Sequence, residues 1–187
     1  MPTSARPDSR LTYDDFLLFP DDGKRHELID GEHYVTPSPS RRHQQLLGRL
    51  HVAVANHLGG TPALGEVYLS PFDVVFSRWD VVEPDLIFVA ADQLTILTDK
   101  NIVGAPALVV EIASPSTRRR DQQLKRRLFE TQGVREYWMV DPELDTVTVD
   151  RLDETGAFAR SGVLGVDEVL TTPLLPGWAL PLDQLFA

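Results

Sequence analysis

The chain contains no cysteine, which excludes a disulfide framework and a thiolate zinc centre and removes any demand for an oxidising compartment. Its five histidines are scattered, and none forms the HExxH pair of a zinc hydrolase. No apolar run approaches the ~20 residues that span a bilayer, and the amino terminus, MPTSARPDSR, lacks the apolar core of a secretory signal. These absences predict a soluble, cytoplasmic protein. Positive charge is also in deficit: 18 Lys and Arg stand against 28 Asp and Glu, a net of −10. The overall field therefore opposes non-specific attraction to nucleic acid or acidic membranes, while leaving a local basic site open. No internal repeat or low-complexity linker breaks the 187 residues, a length suited to one well-buried domain. The polar terminus, residues 1–11, is predicted to be disordered, with a single domain over 12–187.

What is present is organised around LVVEIASPSTRRRDQQLK, Leu108 to Lys125. Ala107, Leu108, Val109 and Val110 precede Glu111 and Ile112 follows it, so an apolar run bounded by Ser-Pro predicts a buried strand carrying one carboxylate. A buried carboxylate needs a cation, a base or a raised pKa. On the wheel of the helix that follows, Leu124, Leu128 and Phe129 mark the apolar face, with Asp121 and Lys125 in the middle of it. Arg119, Gln123, Arg126 and Arg127 point the other way. Two readings fit that stripe equally: an i,i+4 pair whose lysine stem passes the core, and a catalytic lysine.

Elsewhere, Thr12 with Asp14 and Asp15 caps a short helix through Phe19. His26 to Ile29 and Glu32 to Thr36 form a hairpin closed by Asp30-Gly31, in which local sequence reads Glu27 as an exposed strand carboxylate. Ser38 or Ser40 caps the longest helix, whose stripe is Leu46, Leu47, Leu50, Ala53, Val54 and Leu58, ended by Gly59-Gly60. His43 falls on that stripe, where a lone histidine reads first as a core residue. Residues 66–76 form two strand segments broken at Ser70-Pro71. Asp92 to Leu97 reads as a helical turn, Thr98 to Ala105 as a polar connection, and strands follow at 136–140, 146–151 and 158–164. The apolar tail, LLPGWALPLDQLF, predicts packing against the body or a second subunit.

Glu83-Pro84-Asp85 precedes the strand Leu86 to Val89, so Asp85 sits at a strand entrance while Glu111 follows most of its own strand. If the two strands are antiparallel neighbours, both carboxylates reach one edge of the sheet. Two converging carboxylates suit a hard cation such as Mg2+.

The order of helix, strands, P-D strand, E strand, helix and strand resembles the PD-(D/E)xK nuclease core. More narrowly, ELIDGE at 27–32, PSPSRRH at 37–43, PDLIFV at 84–89, APALVVEIASPST at 105–117 and GVREYWMVDP at 133–142 resemble the Uma-type restriction endonucleases. The resemblance covers roughly residues 12–151. It implies an α/β (α+β) fold, a central mixed sheet flanked by helices with an N-terminal helix and hairpin. It also implies a Mg2+- or Mn2+-dependent endonuclease acting on DNA, with Asp85 and Glu111 as metal ligands and Glu27 and His43 flanking the site. The superfamily pattern places lysine two residues after the glutamate, where this chain has Ala113. Similar nucleases supply that lysine from the following helix, and Lys125 is the position that would do so.

In such a site the metal polarises the phosphate, while Lys125 orients the attacking water and stabilises developing charge. Asp121 would hold Lys125 in place. Arg41, Arg42, Arg118 and Arg119 are candidate phosphate contacts, although charge runs of this kind usually form a solvated face. A homodimer is expected, because two copies related by a two-fold axis cut two strands most simply. The competing expectations are a non-catalytic nuclease-like module that binds DNA or another protein, and an unrelated domain in which Glu111 and Lys125 form a structural pair.

Overall fold

The computed structural model describes residues 10–36, 38–114 and 121–187, with the backbone alone for Asp121 and Gln122. Residues 1–9 of the terminus expected to be disordered, Arg118, Arg119 and the Asp121 side chain lie outside the described residues. Thr12 caps helix α1 (Tyr13–Phe16) in a reciprocal box with Asp15. The helix stops short of the expected Phe19: Leu17 and Leu18 are 61% and 83% exposed, so no buried face supports further turns.

Strands β1 (Arg25–Ile29) and β2 (Glu32–Thr36) form the expected hairpin. Its turn residues Asp30 and Gly31 have φ of 52° and 73°, as a type I′ turn requires. Arg10 pairs with Asp30 at 3.1 Å and stacks on Trp79, while the Leu11 amide bonds the Gly31 carbonyl. A Cβ on Gly31 would meet Arg10 Cβ at 2.4 Å. Helix α2 (Arg41–Gly60) begins at Ser40, whose hydroxyl accepts from the His43 amide at 3.2 Å, and buries Leu46, Leu47, Leu50, Val54 and Leu58.

Strands β3 (Gly65–Leu69) and β4 (Val74–Ser77) flank the Ser70-Pro71 break, followed by β5 (Asp80–Val82) and β6 (Leu86–Ala90). A 3-10 turn (Ala91–Ile96) leads to β7 (Ile102–Val103) and then β8 (Leu108–Ile112). The segment expected as a polar connection therefore contains a short strand. The reason is Ile102, fully buried and in register with Val74, whose apolar burial outweighs its polar neighbours.

After β8 comes a π-helical turn, Asp121–Lys125, continuous with helix α3 (Arg126–Gln132). The wider π turn rotates the chain relative to a 3.6-residue wheel. Lys125, Leu128 and Phe129 face inward as expected, but Leu124 is 40% exposed instead of buried. Strands β9 (Glu136–Asp141), β10 (Thr146–Leu152) and β11 (Phe158–Leu164) follow. The tail folds as the hairpin β12 (Val169–Thr171) and β13 (Ala179–Pro181) with helix α4 (Leu182–Phe186).

Among the described residues a six-stranded sheet runs β11-β10-β9-β8-β6-β3 and a five-stranded sheet β2-β1-β5-β4-β7. The β8–β9 pair is parallel, bridged by the crossover that contains α3, while β6 pairs β8 antiparallel. Strand alternation sorts the core into layers. Leu86, Phe88, Leu108, Val110, Ile112 and Trp138 pack with α2 and the tail. Ile87, Val89, Val109 and Tyr137 pack on the other face with Ile29, Val74, Val82 and Phe129. The tail is part of the body: Trp178 stacks on Trp138 at 5.7 Å between centroids and donates its indole N–H to the Ala53 carbonyl. No helix among the described residues is long and apolar enough to cross a membrane.

Candidate active site

The same alternation that layers the core positions the polar groups. Asp85 and Glu111 share parity with Ile87 and Val109, and Glu27 shares parity with Ile29, so all three carboxylates belong to the face between the two sheets. Leu86 stands opposite Val110 in the β6–β8 ladder, which brings Asp85 and Glu111 to one end of the six-stranded sheet. Asp85, Glu111, Glu27 and Lys125 are each at most 2% exposed.

Lys125 Nζ donates to Glu111 Oε1 at 2.7 Å and to Glu27 Oε1 at 2.8 Å, so one ammonium bridges two buried carboxylates from different sheets. Glu27 also accepts from the Glu83 amide at 3.1 Å. Burial pushes its carboxyl up, and the Lys125 charge and hydrogen bond overcome that and leave it below the ordinary range. The local reading of Glu27 as exposed is corrected here. Its strand is not an open edge but is paired on both sides, by β2 and by β5, and its inward face meets Lys125.

Asp85 is held from three directions. Arg25 Nη1 donates to Oδ1 at 2.8 Å, the Ile112 amide donates to Oδ2 at 2.8 Å, and His43 Nε2 lies 3.0 Å from Oδ2. Burial raises its carboxyl, but the His43 hydrogen bond and the positive charge of Arg25 bring it down to about 2. Arg25 also feels Glu111 and Glu27, which with Asp85 hold its guanidinium in the charged form against the cost of burial.

A cleft of about 430 Å³ reaches this cluster from the side of Arg25, His43, Glu83 and Asp85, with Lys24, Gln44 and Pro71 on its rim. Two buried atoms in its lining, His43 Nδ1 and Glu83 Oε2, have no hydrogen-bond partner among the described residues. Burial, with Asp73 and Glu27 nearby, pushes the Glu83 carboxyl up to about 7.

Of the residues singled out by sequence, the structure therefore brings together Asp85, Glu111, Lys125, Glu27 and His43. Ala113, where the superfamily lysine would stand, is 2% exposed in the apolar cluster with Leu128 and Phe129. Arg41 is exposed at the start of α2. Arg42 turns away to the tail, pairing with Asp145 at 3.0 Å and donating to the Phe186 carbonyl at 2.6 Å. Arg126 is likewise engaged, with Asp150 at 2.9 Å. Sequence reasoning missed Arg25 and Glu83. Arg25 lies two residues before Glu27 on the same strand face and Glu83 two before Asp85, so period-2 alternation was the available signal.

The donor chemistry fits a hard divalent cation. Asp85, Glu111 and Glu27 offer carboxylate oxygens, which such ions prefer, and among the described residues two fixed cations, Arg25 and Lys125, face these three charges. Asp85 and Glu111 would hold the ion by exchanging contacts now made with Arg25 and Lys125. Among the described residues no three His, Asp or Glu side chains are grouped as a ready-made metal centre.

The fold is shared with a solved structure described as "a putative nuclease belonging to DUF820" from Anabaena variabilis. The two superpose with a TM-score of 0.79 at 20% sequence identity, covering 94% of this chain and 97% of that one. The helices flanking a mixed sheet are accordingly a restriction-endonuclease-like core, as the sequence motifs imply. No curated protein sequence matches this chain. The family model described as "Uma2: Putative restriction endonuclease" matches residues 13–183, from the first helix into the last, and the chain belongs to the Uma2 family.

Proposed function

We propose that this protein is a metal-dependent DNA endonuclease whose reaction centre is Asp85, Glu111 and Lys125. The observation that carries the reading is the approach of Lys125 Nζ to Glu111 Oε1 at 2.7 Å, beside the strand that bears Asp85. A lysine from the crossover thereby stands beside the glutamate although Ala113 replaces the usual one. Membership of a family described as restriction endonucleases supports the same reading.

The phosphodiester is anionic and its leaving alkoxide poor. Asp85 and Glu111 would hold a divalent ion such as Mg2+ or Mn2+, which would supply Lewis-acid polarisation at the phosphoryl oxygen. Lys125 would orient the attacking water and offset charge developing on the phosphate. Glu27 fixes the Lys125 ammonium from the opposite side, and His43 fixes Asp85. Arg41, exposed at the start of α2, and Lys24, on the cleft's rim, are the candidate contacts to flanking phosphates, and a homodimer would present two such centres to the two strands.

The test is Mg2+ and Mn2+ binding by calorimetry to the wild type and to Asp85→Asn, followed by plasmid nicking on the same samples. The expected result is binding and metal-dependent nicking by the wild type, both lost in the variant. A wild type that neither binds metal nor nicks any of several DNA forms would instead establish a non-catalytic module. One observation favours that second reading: Glu111 and Lys125 are already paired with each other, and Asp85 with Arg25, with Asp85, Glu111 and Lys125 at no more than 2% exposure.

A further inference from the structure

The two oxygens of Asp85 are held differently. Oδ2 accepts from the Ile112 amide at 2.8 Å and lies 3.0 Å from His43 Nε2, so the end of β8 and the start of α2 fix the carboxylate in place. Among the described residues Oδ1 has one hydrogen bond, from Arg25 Nη1 at 2.8 Å. A carboxylate oxygen has two lone pairs, so Oδ1 is the atom of Asp85 with room for an ion, and Arg25 sits on it. Asp85 keeps its position without that contact.

Arg25 opens β1, and its side chain, 21% exposed, lines the cleft. Both of its hydrogen bonds among the described residues leave from Nη1, to Asp85 and, at 3.4 Å, to the Glu83 carbonyl. Its Nε and Nη2 donors carry none among those residues. A guanidinium matches a phosphate with two parallel donors, so the half of the fork that the protein leaves unused is a phosphate-binding edge. The cleft needs such a cation. Asp21, Glu83 and Asp85 line it beside Lys24, Arg25 and His43, and the chain carries a net charge of −10. An anion therefore enters on local positive charge and not on the overall field. Lys24 is already paired with Asp22 at 3.0 Å. Burial opposes the charge on Arg25, but Asp85, Glu111 and Glu27 outweigh it and keep the guanidinium charged.

We propose that Arg25 has two successive partners: it caps Asp85 Oδ1 in the metal-free protein, yields that oxygen to the divalent ion, and binds a phosphate of the substrate strand with its guanidinium. The inference rests on the nuclease reading, in which Asp85 holds the ion. A guanidinium and a divalent ion repel one another at one carboxylate oxygen, so removing Arg25 should help the ion and harm the phosphate. A residue that only held the site together would lower both affinities when replaced.

The test is calorimetric titration of Mg2+ into the wild type and Arg25→Gln, with binding of a fluorescent oligodeoxynucleotide measured in saturating Ca2+, a hard cation that takes the same oxygen ligands. Arg25→Gln should bind Mg2+ about tenfold more tightly and the oligonucleotide about tenfold more weakly, the equivalent of one charge-assisted hydrogen bond in each case. Arg25→Lys keeps a positive charge beside Asp85 and so guards against loss of the fold. It should bind Mg2+ as the wild type does but hold the oligonucleotide about threefold or more weakly, since an ammonium lacks the fork. A Mg2+ affinity in Arg25→Gln equal to or below that of the wild type, or an oligonucleotide affinity equal to wild type in either variant, would overturn the inference. If the wild type nicks plasmid in Mg2+, those results remove this inference alone; a wild type that neither binds nor nicks removes the nuclease reading with it.

Discussion

Lys125 and Glu111 meet at 2.7 Å although 14 positions separate them in the chain, and the same ammonium reaches Glu27 on the other sheet at 2.8 Å. The lysine thus joins the two sheets at the point where their carboxylates face one another. It neutralises charge that the strand pattern buries.

Replacing Lys125 by Met keeps the length of the side chain and removes its charge. Two carboxylates at most 2% exposed lose the cation between them. The expected cost is about 3–5 kcal/mol, read by urea denaturation at pH 7, and it should shrink at pH 4 as the carboxylates protonate. An unchanged stability at pH 7 would show that the bridge is not formed in solution.

Acid sensitivity should trace to Asp85. Its carboxyl is depressed to about 2 from an unfolded value near 4. The stabilisation it provides is therefore complete above about pH 4 and lost as pH falls through 2, amounting to about 2 kcal/mol. In Asp85→Asn the stability difference from wild type should narrow by that amount between pH 4 and pH 2.

Glu83 should behave in the opposite sense. Its carboxyl is raised to about 7 by burial and by Asp73 and Glu27. The folded state then holds a proton that the unfolded chain releases near pH 4.3, so this contribution is full at low pH and lost as pH rises through 7. Glu83→Gln should gain about 1–2 kcal/mol over wild type at pH 8, after allowance for solvent screening. The two proteins should converge toward pH 5. Parallel stability curves would place the titration elsewhere.

Trp178→Ala tests whether the tail belongs to the folded body. The indole stacks on fully buried Trp138 and bonds the Ala53 carbonyl of α2. Its loss should cost about 3–5 kcal/mol in a single cooperative transition. A separate early melting step would instead make the tail an independently folding appendage.

The sequence by itself determined most of the elements and singled out Asp85, Glu111 and Lys125 as neighbours. Apolar alternation and turn residues located the hairpin at Asp30-Gly31, the Pro84-Asp85 strand, the buried Glu111 strand and the 20-residue helix α2, because those signals are local. Lys125 was legible for the same reason, since Leu128 and Phe129, three and four residues on, fix its face. What local signals do not carry is which strand flanks which. Glu27 reads as exposed from its own hairpin and is buried only because β5 pairs the far side of β1 and Lys125 arrives from the crossover. Arg25 on Asp85, Arg42 on the tail and the strand at Ile102 were likewise decided by packing between segments up to 144 residues apart. Leu124 marks the same limit within one helix, where a π turn displaced it from its expected face. Period fixes the direction of a side chain on its own element, but burial and charge pairing depend on what the fold sets opposite it, and only the tertiary structure supplies that.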